Sequence, residues 1–284
     1  MAAMIDREIL REQYFQFDEP VPYDLGDGKE VVVTPVKMKH SELFTTCAQI
    51  LMIDKNSSPS VEIIQMPYLK FLTDVLFPQS GVYPLNLGTI CAICLGMKNP
   101  QIILDKKGKP AICDSELDIT INCQQFDDIS KIILYQNFVD YDDRYIDPDF
   151  KKAMRETDEL RNKNLEIPNT ERKMAILTSH TGIKRADIKE MTMREFSLVF
   201  AEVVGEVQYI ATTSIAAFGG NDIDHWVYRK KRGAFDSYIT DVDAYTRSMG
   251  GSSSIRTVTN DASYGNEMQS KFDNFLNKNN IGGT

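Results

Sequence analysis

Apolar side chains recur at two different spacings along this chain, and the change from one to the other organises it. Residues 21–36, VPYDLGDGKEVVVTPV, set two extended apolar runs either side of Asp27-Gly28, the turn chemistry of a β-hairpin. Pro35 marks the end of the second strand or an edge. Residues 1–14 read as a short helix, and Ser41 is placed to N-cap a helix reaching Ile53. NSSPS at 56–60 is a loop. Pro67 occupies a first-turn position for a helix carrying Tyr68, Leu69, Leu72, Val75 and Leu76 on one face. Residues 85–97 are apolar nearly all round, the pattern of a buried helix. Residues 101–104 and 111–113 flank DKKGK as a second hairpin, with 118–123 as a third strand.

From Phe126 onward the spacing is helical. Asp147 caps and Pro148 takes the first position of a charged helix, with a narrow stripe of Phe150, Ala153, Met154 and Leu160. Lys152–Glu156 and Arg155–Glu159 are four apart and can pair on its exposed side. Asn169-Thr170 starts a short helix that Gly182 stops. Thr192 to Glu195 has capping-box form and opens the longest predicted helix, Met193 to Phe218, about 39 Å at 1.5 Å per residue. Phe196, Val199, Phe200, Val203, Val207, Ile210, Ile215 and Phe218 keep helical spacing along it, and Gly219-Gly220 ends it.

After Met249 the composition changes. GGSSSIRTVTNDAS is a linker by content, with a reach of roughly 20 Å if flexible. Beyond it Tyr264, Met268, Phe272, Phe275 and Leu276 form one stripe on a short helix. A helix this short is marginal alone in water, so it must dock, either on its own chain or on a neighbour. The expected fold is α+β, predominantly α-helical. A hairpin-containing N-terminal part spans 1–125, a helical part 126–247, a flexible linker 248–263 and an amphipathic helix 264–278. Whether the helices near Ser41 and Pro67 share a core with the later ones stays open.

With 41 acidic and 32 basic residues the net charge is −9. That balance favours solubility and argues against nucleic acid as the main partner, because phosphate affinity comes chiefly from Lys and Arg clusters. No apolar run reaches the roughly 20 residues needed to span a bilayer, and the N-terminus MAAMIDREILREQ is charged rather than signal-like. The cysteines, Cys47, Cys91, Cys94, Cys113 and Cys123, are odd in number and mostly set among Ile, Leu and Ala, where a reduced thiol acts as a small core group. The expected compartment is reducing cytoplasm.

Candidate chemistry is thin. Cys91-x-x-Cys94 could hold zinc with Cys113 and Cys123, but that second pair is ten positions apart and the first lies in an apolar run without turn residues. Core thiols are the favoured reading. His40, His180 and His225 are scattered without a nucleophile motif, and no phosphate-cradling or dinucleotide glycine pattern occurs. Asp140, Asp142, Asp143, Asp147 and Asp149 lack the glycine that bends a calcium loop, so a capped turn is favoured. Residues 229–232, Arg-Lys-Lys-Arg, follow Trp226, the single tryptophan. A solvated turn is favoured for the basic run, and packing or an interface for the tryptophan. No catalytic residue, metal ligand or cofactor site is expected.

Several segments carry a resemblance: VVVTPVKMK within 31–39, MPYLKFLTDVLF at 66–77 and KIILYQNFVDYDDRYIDPDF at 131–150. LRNKN at 160–164, TGIKRADIKEMTMREF at 181–196 and DHW at 224–226 add to it. Across residues 20–245 the chain resembles tail-assembly-chaperone-like, tail-associated proteins of bacteriophages infecting Gram-positive bacteria. The resemblance implies a protein without catalysis or cofactor that works in the host cytoplasm during tail morphogenesis. Its partners would be other tail proteins, namely tape measure, tube or baseplate subunits. The alternative it leaves is a permanent virion component of the tail, baseplate or head-to-tail junction. The expected partner-binding residues are Tyr264, Met268, Phe272, Phe275, Leu276 and Trp226, with a homo-oligomer joined through the C-terminal arm as a further possibility.

Overall fold

The computed structural model describes residues 5–58, 60–144, 146–163 and 167–219, together with Val227. The expected linker and C-terminal helix, Trp226, His225 and the basic run 229–232 lie outside the described residues.

The fold is α+β and mostly helical, with two small antiparallel sheets in the N-terminal part. After helix α1 (Arg7–Gln13), strands β1 (Val21–Gly26) and β2 (Lys29–Val33) form the expected hairpin. Val21 sits opposite Val33, and Tyr23 opposite Val31. The turn needs the left-handed conformation at Asp27 (φ 54°) and at Gly28 (φ 74°), which Asp tolerates and Gly adopts freely. Val21, Val31 and Val33 point into the core while their neighbours alternate outward.

Ser41 is not the N-cap that its position suggests. It is the first residue of α2 (Ser41–Ala48), and its hydroxyl donates to Met38 O at 2.8 Å, closing a 3-10 turn ahead of the helix. The helix gives way to another 3-10 turn at Gln49–Leu51 instead of running to Ile53. α3 (Val61–Gln65) and α4 (Tyr68–Phe71) follow, and Leu72–Leu76 widens into a π turn. α5 (Val82–Leu95) is not buried all round. It packs on α2 and β2 through Leu87, Ile90, Cys91 and Cys94, while Leu85 on its other side is 70% exposed. The second sheet is β3 (Gln101–Leu104), β4 (Pro110–Asp114) and β5 (Ile119–Asn122), in that order. Asp114, 1% exposed, accepts backbone N–H groups of Lys98, Asn99, Glu116 and Leu117. These bonds hold its carboxyl below the ordinary carboxylate range.

α6 (Cys123–Asn137) opens with a reciprocal capping box between Asn122 and Gln125, three residues before the expected start. The division expected after residue 125 falls inside this helix. Ile129, Ile132 and Ile133 lie in the same core as Val33, Phe44 and Ile90. Of the later helices, α7 (Pro148–Asn162), α8 (Thr170–Thr181) and α10 (Met193–Gly219) begin close to where the sequence places them, and α9 (Arg185–Glu190) is a short helix between α8 and α10 that the sequence reading does not include. Asp147 caps α7 through Asp149 N and Phe150 N. Thr192 caps α10 through Glu195 N at 3.0 Å.

A smaller cluster, Leu177, Ile188, Met191, Phe196 and Val203, forms where α8, α9 and α10 meet. Its seam with the main core is polar and specific. Met38 N donates to Met191 O and Met193 N to Val36 O, both at 2.8 Å. Thr192 Oγ1 donates to Asp18 at 2.6 Å, and the buried Arg194 donates to Tyr135 O and covers the Phe15 ring. Lys37 and Lys39 both reach Glu190 and pull its carboxyl down to about 2.

Asn137, 2% exposed, accepts the Val36 N–H at 2.8 Å and donates to Ile133 O. Asn137→Ala would strand the Val36 amide in the core, a loss expected at about 1–3 kcal/mol. Urea unfolding monitored by circular dichroism measures it, and a change under about 0.5 kcal/mol would show that the amide finds another partner.

Candidate functional site

The segment with the most distinctive sequence, the end of α6 and the acidic turn after it, forms one wall of a cleft of about 480 Å3. The opposite wall is residues 51–56 and Tyr68 at the start of α4. α6 contributes Asp127, Ser130, Lys131 and Leu134, the turn contributes Tyr141 to Arg144, and α7 contributes Lys151. Helical spacing puts Asp127, Ser130, Lys131 and Leu134 on one side of α6. The capped start of α7 aims Lys151 back at residue 54.

The tyrosine at the back is fixed from three sides. Tyr68 O–H donates to Ile50 O at 2.7 Å and to Ile53 O at 3.0 Å, and its N–H donates to Asp127 Oδ1 at 2.9 Å. Lys55 Nζ donates to Met66 O. At the rim the charges pair with each other. Lys151 meets Asp54 at 2.9 Å, Lys131 meets Asp143 at 3.7 Å, and Arg144 forks onto Asp142 at 2.5–3.0 Å. These pairs run across or along the opening and do not converge on a common point. Arg144 holds the Asp142 carboxyl below its ordinary range. Burial pushes Asp127, Tyr68 and Tyr141 upward. A tyrosine pushed upward is a poorer proton donor, and Asp127 already accepts a backbone N–H. The arrangement ties loop 51–56 to α6 and α7. Among the described residues no group of three or more His, Cys, Asp or Glu side chains could hold a metal ion.

The other candidates fall apart spatially. Cys91 and Cys94 are 1% and 0% exposed on the core side of α5, and burial pushes the Cys91 thiol up to about 12 and Cys94 further. A thiol held protonated is inert packing. Cys123 donates to Pro110 O at the start of α6. His40 and His180 are exposed and on separate helices. Asp142, Asp143 and Asp147 have different partners, namely Arg144, Lys131 and the first amides of α7, which makes the acidic turn a set of caps and ion pairs.

No family model, curated protein or solved structure matches the chain. Among the described residues no helix is long and apolar enough to cross a membrane.

What sequence reading missed is apolar exposure. On α10, Phe196 and Val203 are 5% and 7% exposed, but the same stripe continues through Val207 at 44% and Ile210 at 58%. The unbroken 3.6-residue period gave no sign of where burial stops, because period reports a face and not what covers it. α7 has no buried residue among those described, although Phe150 and Leu160 keep the expected spacing.

Asp127 has a testable sign. Its folded pKa is raised, so the folded state holds this proton more tightly than the unfolded chain. Its contribution is largest below about pH 4 and declines as pH rises through the folded value. Asp127→Asn keeps an acceptor for the Tyr68 N–H and removes the charge. Stability at pH 7 should hold or rise, with a flatter pH dependence above about pH 4. A loss above about 1 kcal/mol at pH 7 in urea titrations would show that the ionised carboxylate supports the fold.

Proposed function

We propose that this chain is a phage tail morphogenesis protein that binds other tail proteins through apolar helical surfaces and performs no chemistry on them. The observation that carries the reading is the divided stripe of α10. Its first turns are sealed against α8 and α6. The following turns offer Val204, Val207 and Ile210 at 41%, 44% and 58% exposure on the same helix. An apolar face of this kind suits the apolar stripe of a partner helix, read at i, i+3, i+4 and i+7, and a tape-measure protein is such a partner. The cleft at the acidic turn supports the same reading, since its charges pair off among themselves. The stripe of Tyr264, Met268, Phe272, Phe275 and Leu276 is the proposed second contact, and the host cytoplasm during assembly the proposed location.

Val207→Glu with Ile210→Glu tests the first contact. Glu is as good a helix former as the residues it replaces, and substitutions at exposed positions usually move stability by about 0.5 kcal/mol or less. In infected cells, tagged protein carrying both changes should recover about tenfold less tape-measure protein than the unaltered chain. Equal recovery would remove α10 from the interface. Deleting residues 250–284 should weaken partner recovery or change the oligomeric state, and no change in either would refute the docking helix. Mass spectrometry of purified particles separates the two forms of the proposal. A chaperone is absent from them, and a structural component is present in fixed stoichiometry.

A further inference from the structure

The second sheet ends in an apolar strand with a free edge. β3 is terminal in its sheet among the described residues, and all four of its residues are exposed. Its ladder shows which backbone groups are free. Pro110, opposite Leu104, has no N–H, while Asp105 N donates to Lys109 O at 2.7 Å. Bonded and non-bonded positions alternate along an antiparallel pair. Gln101 and Ile103 therefore spend their backbone groups on β4, and Ile102 and Leu104 turn theirs to the open edge.

The side chains at that edge continue the core. Ile102 lies opposite Ile112, which lies opposite Ile121, and directly opposed residues share a face. The row runs from Ile121 and Ile112, at 0% and 1% exposure, out to Ile102 at 41%, with Leu104 beside it at 71%. Natural edges are usually blunted by shortness, charges, proline or a covering element, and β3 has only the first of these along its four residues. Here an apolar layer and two unpaired backbone positions meet solvent together.

The geometry points to β3 as a docking edge for an extended apolar segment of another protein, added antiparallel as a fourth strand. Charge selects among the possible occupants. The turn following Leu104 carries exposed Lys106, Lys107 and Lys109 on a chain of net charge −9. An antiparallel partner runs past this turn before it reaches Leu104. The fitting segment therefore has carboxylates immediately N-terminal to its apolar residues. A second copy fits poorly, because antiparallel self-pairing about Ile103 brings Lys106 and Lys107 alongside residues 98–100 of the other copy, Lys98 included. The proposal stands apart from the α10 contact and from the tail-assembly reading, since it uses a different surface.

The test uses the full chain and a fluorescent synthetic peptide, Asp-Glu-Asp followed by Val-Thr-Val-Thr-Val. Anisotropy should show saturable binding, weakened about tenfold when the acidic triplet is moved to the C-terminal end. Amide hydrogen exchange should gain protection at Ile102 and Leu104, and little at Gln101 and Ile103. Ile102→Pro removes one outward N–H at a position where an edge strand tolerates proline, and should weaken binding about tenfold with unchanged circular dichroism. Reversing Lys106, Lys107 and Lys109 to Glu should exchange the preference to a Lys-flanked peptide. The proposal is overturned by absent binding, by binding indifferent to Ile102→Pro, or by dimerisation that Ile102→Pro abolishes.

Discussion

The main core of the described part of this protein is arranged around α6. Its middle is buried on nearly every side by the hairpin, α4 and α10, and its C-terminal turn carries Gln136 and Asn137 at 1% and 2% exposure. A buried amide is costly unless it is bonded. Asn137 meets that demand by taking the Val36 N–H just past β2, and Gln136 meets half of it, its Nε2 reaching Glu19 O and Val33 O while its Oε1 is buried without a partner among the described residues. These side chains fix where the hairpin ends relative to α6. The position of Val36 then determines that Met193 N can find its carbonyl, and so where α10 begins. The constraint is polar, and it selects one docking geometry among many that apolar packing alone would permit.

From the same pillar comes the division between sealed and open surfaces. α10 starts against α6 and the small cluster, then runs beyond both, and its apolar face stays exposed at Val207 and Ile210. β3 stands one strand out from the strands that touch the core, and its row of isoleucines likewise continues past its cover. Folding alone requires only that enough area be buried, roughly 25 cal/mol for each Å2. Exposed continuation of a core stripe adds nothing to that sum, which is why two such continuations point toward partners.

Local chemistry made much of the fold legible. Asp27-Gly28, Asp147-Pro148, Asn169, Gly182 and Thr192 each act through one turn of backbone, and each lies where its sequence position implies. Ser41 failed because a hydroxyl can donate backward to Met38 O as readily as it can accept a cap, and neighbouring residues do not decide between them. The all-apolar run of α5 misled because composition cannot say which side of a helix is covered, and here Leu87, Ile90, Cys91 and Cys94 are buried while Leu85 is exposed. The boundary after residue 125 failed for a related reason. A change of periodicity marks a change of secondary structure, and α6 crosses it while remaining in one core. The candidate site was less legible still. Tyr68 and Asp127 are 59 positions apart and meet only because α4 packs on α6.

The central claim is that the open stretch of α10 is a contact surface for another protein. The most direct measurement places a photo-cross-linking amino acid at Val207 and illuminates cells during infection, with the same residue at exposed His180 as reference. The account predicts cross-links from position 207 to a tail protein that has an apolar helix, and none from position 180. Cross-links from 207 only within the same chain, or equal labelling from both positions, would contradict it.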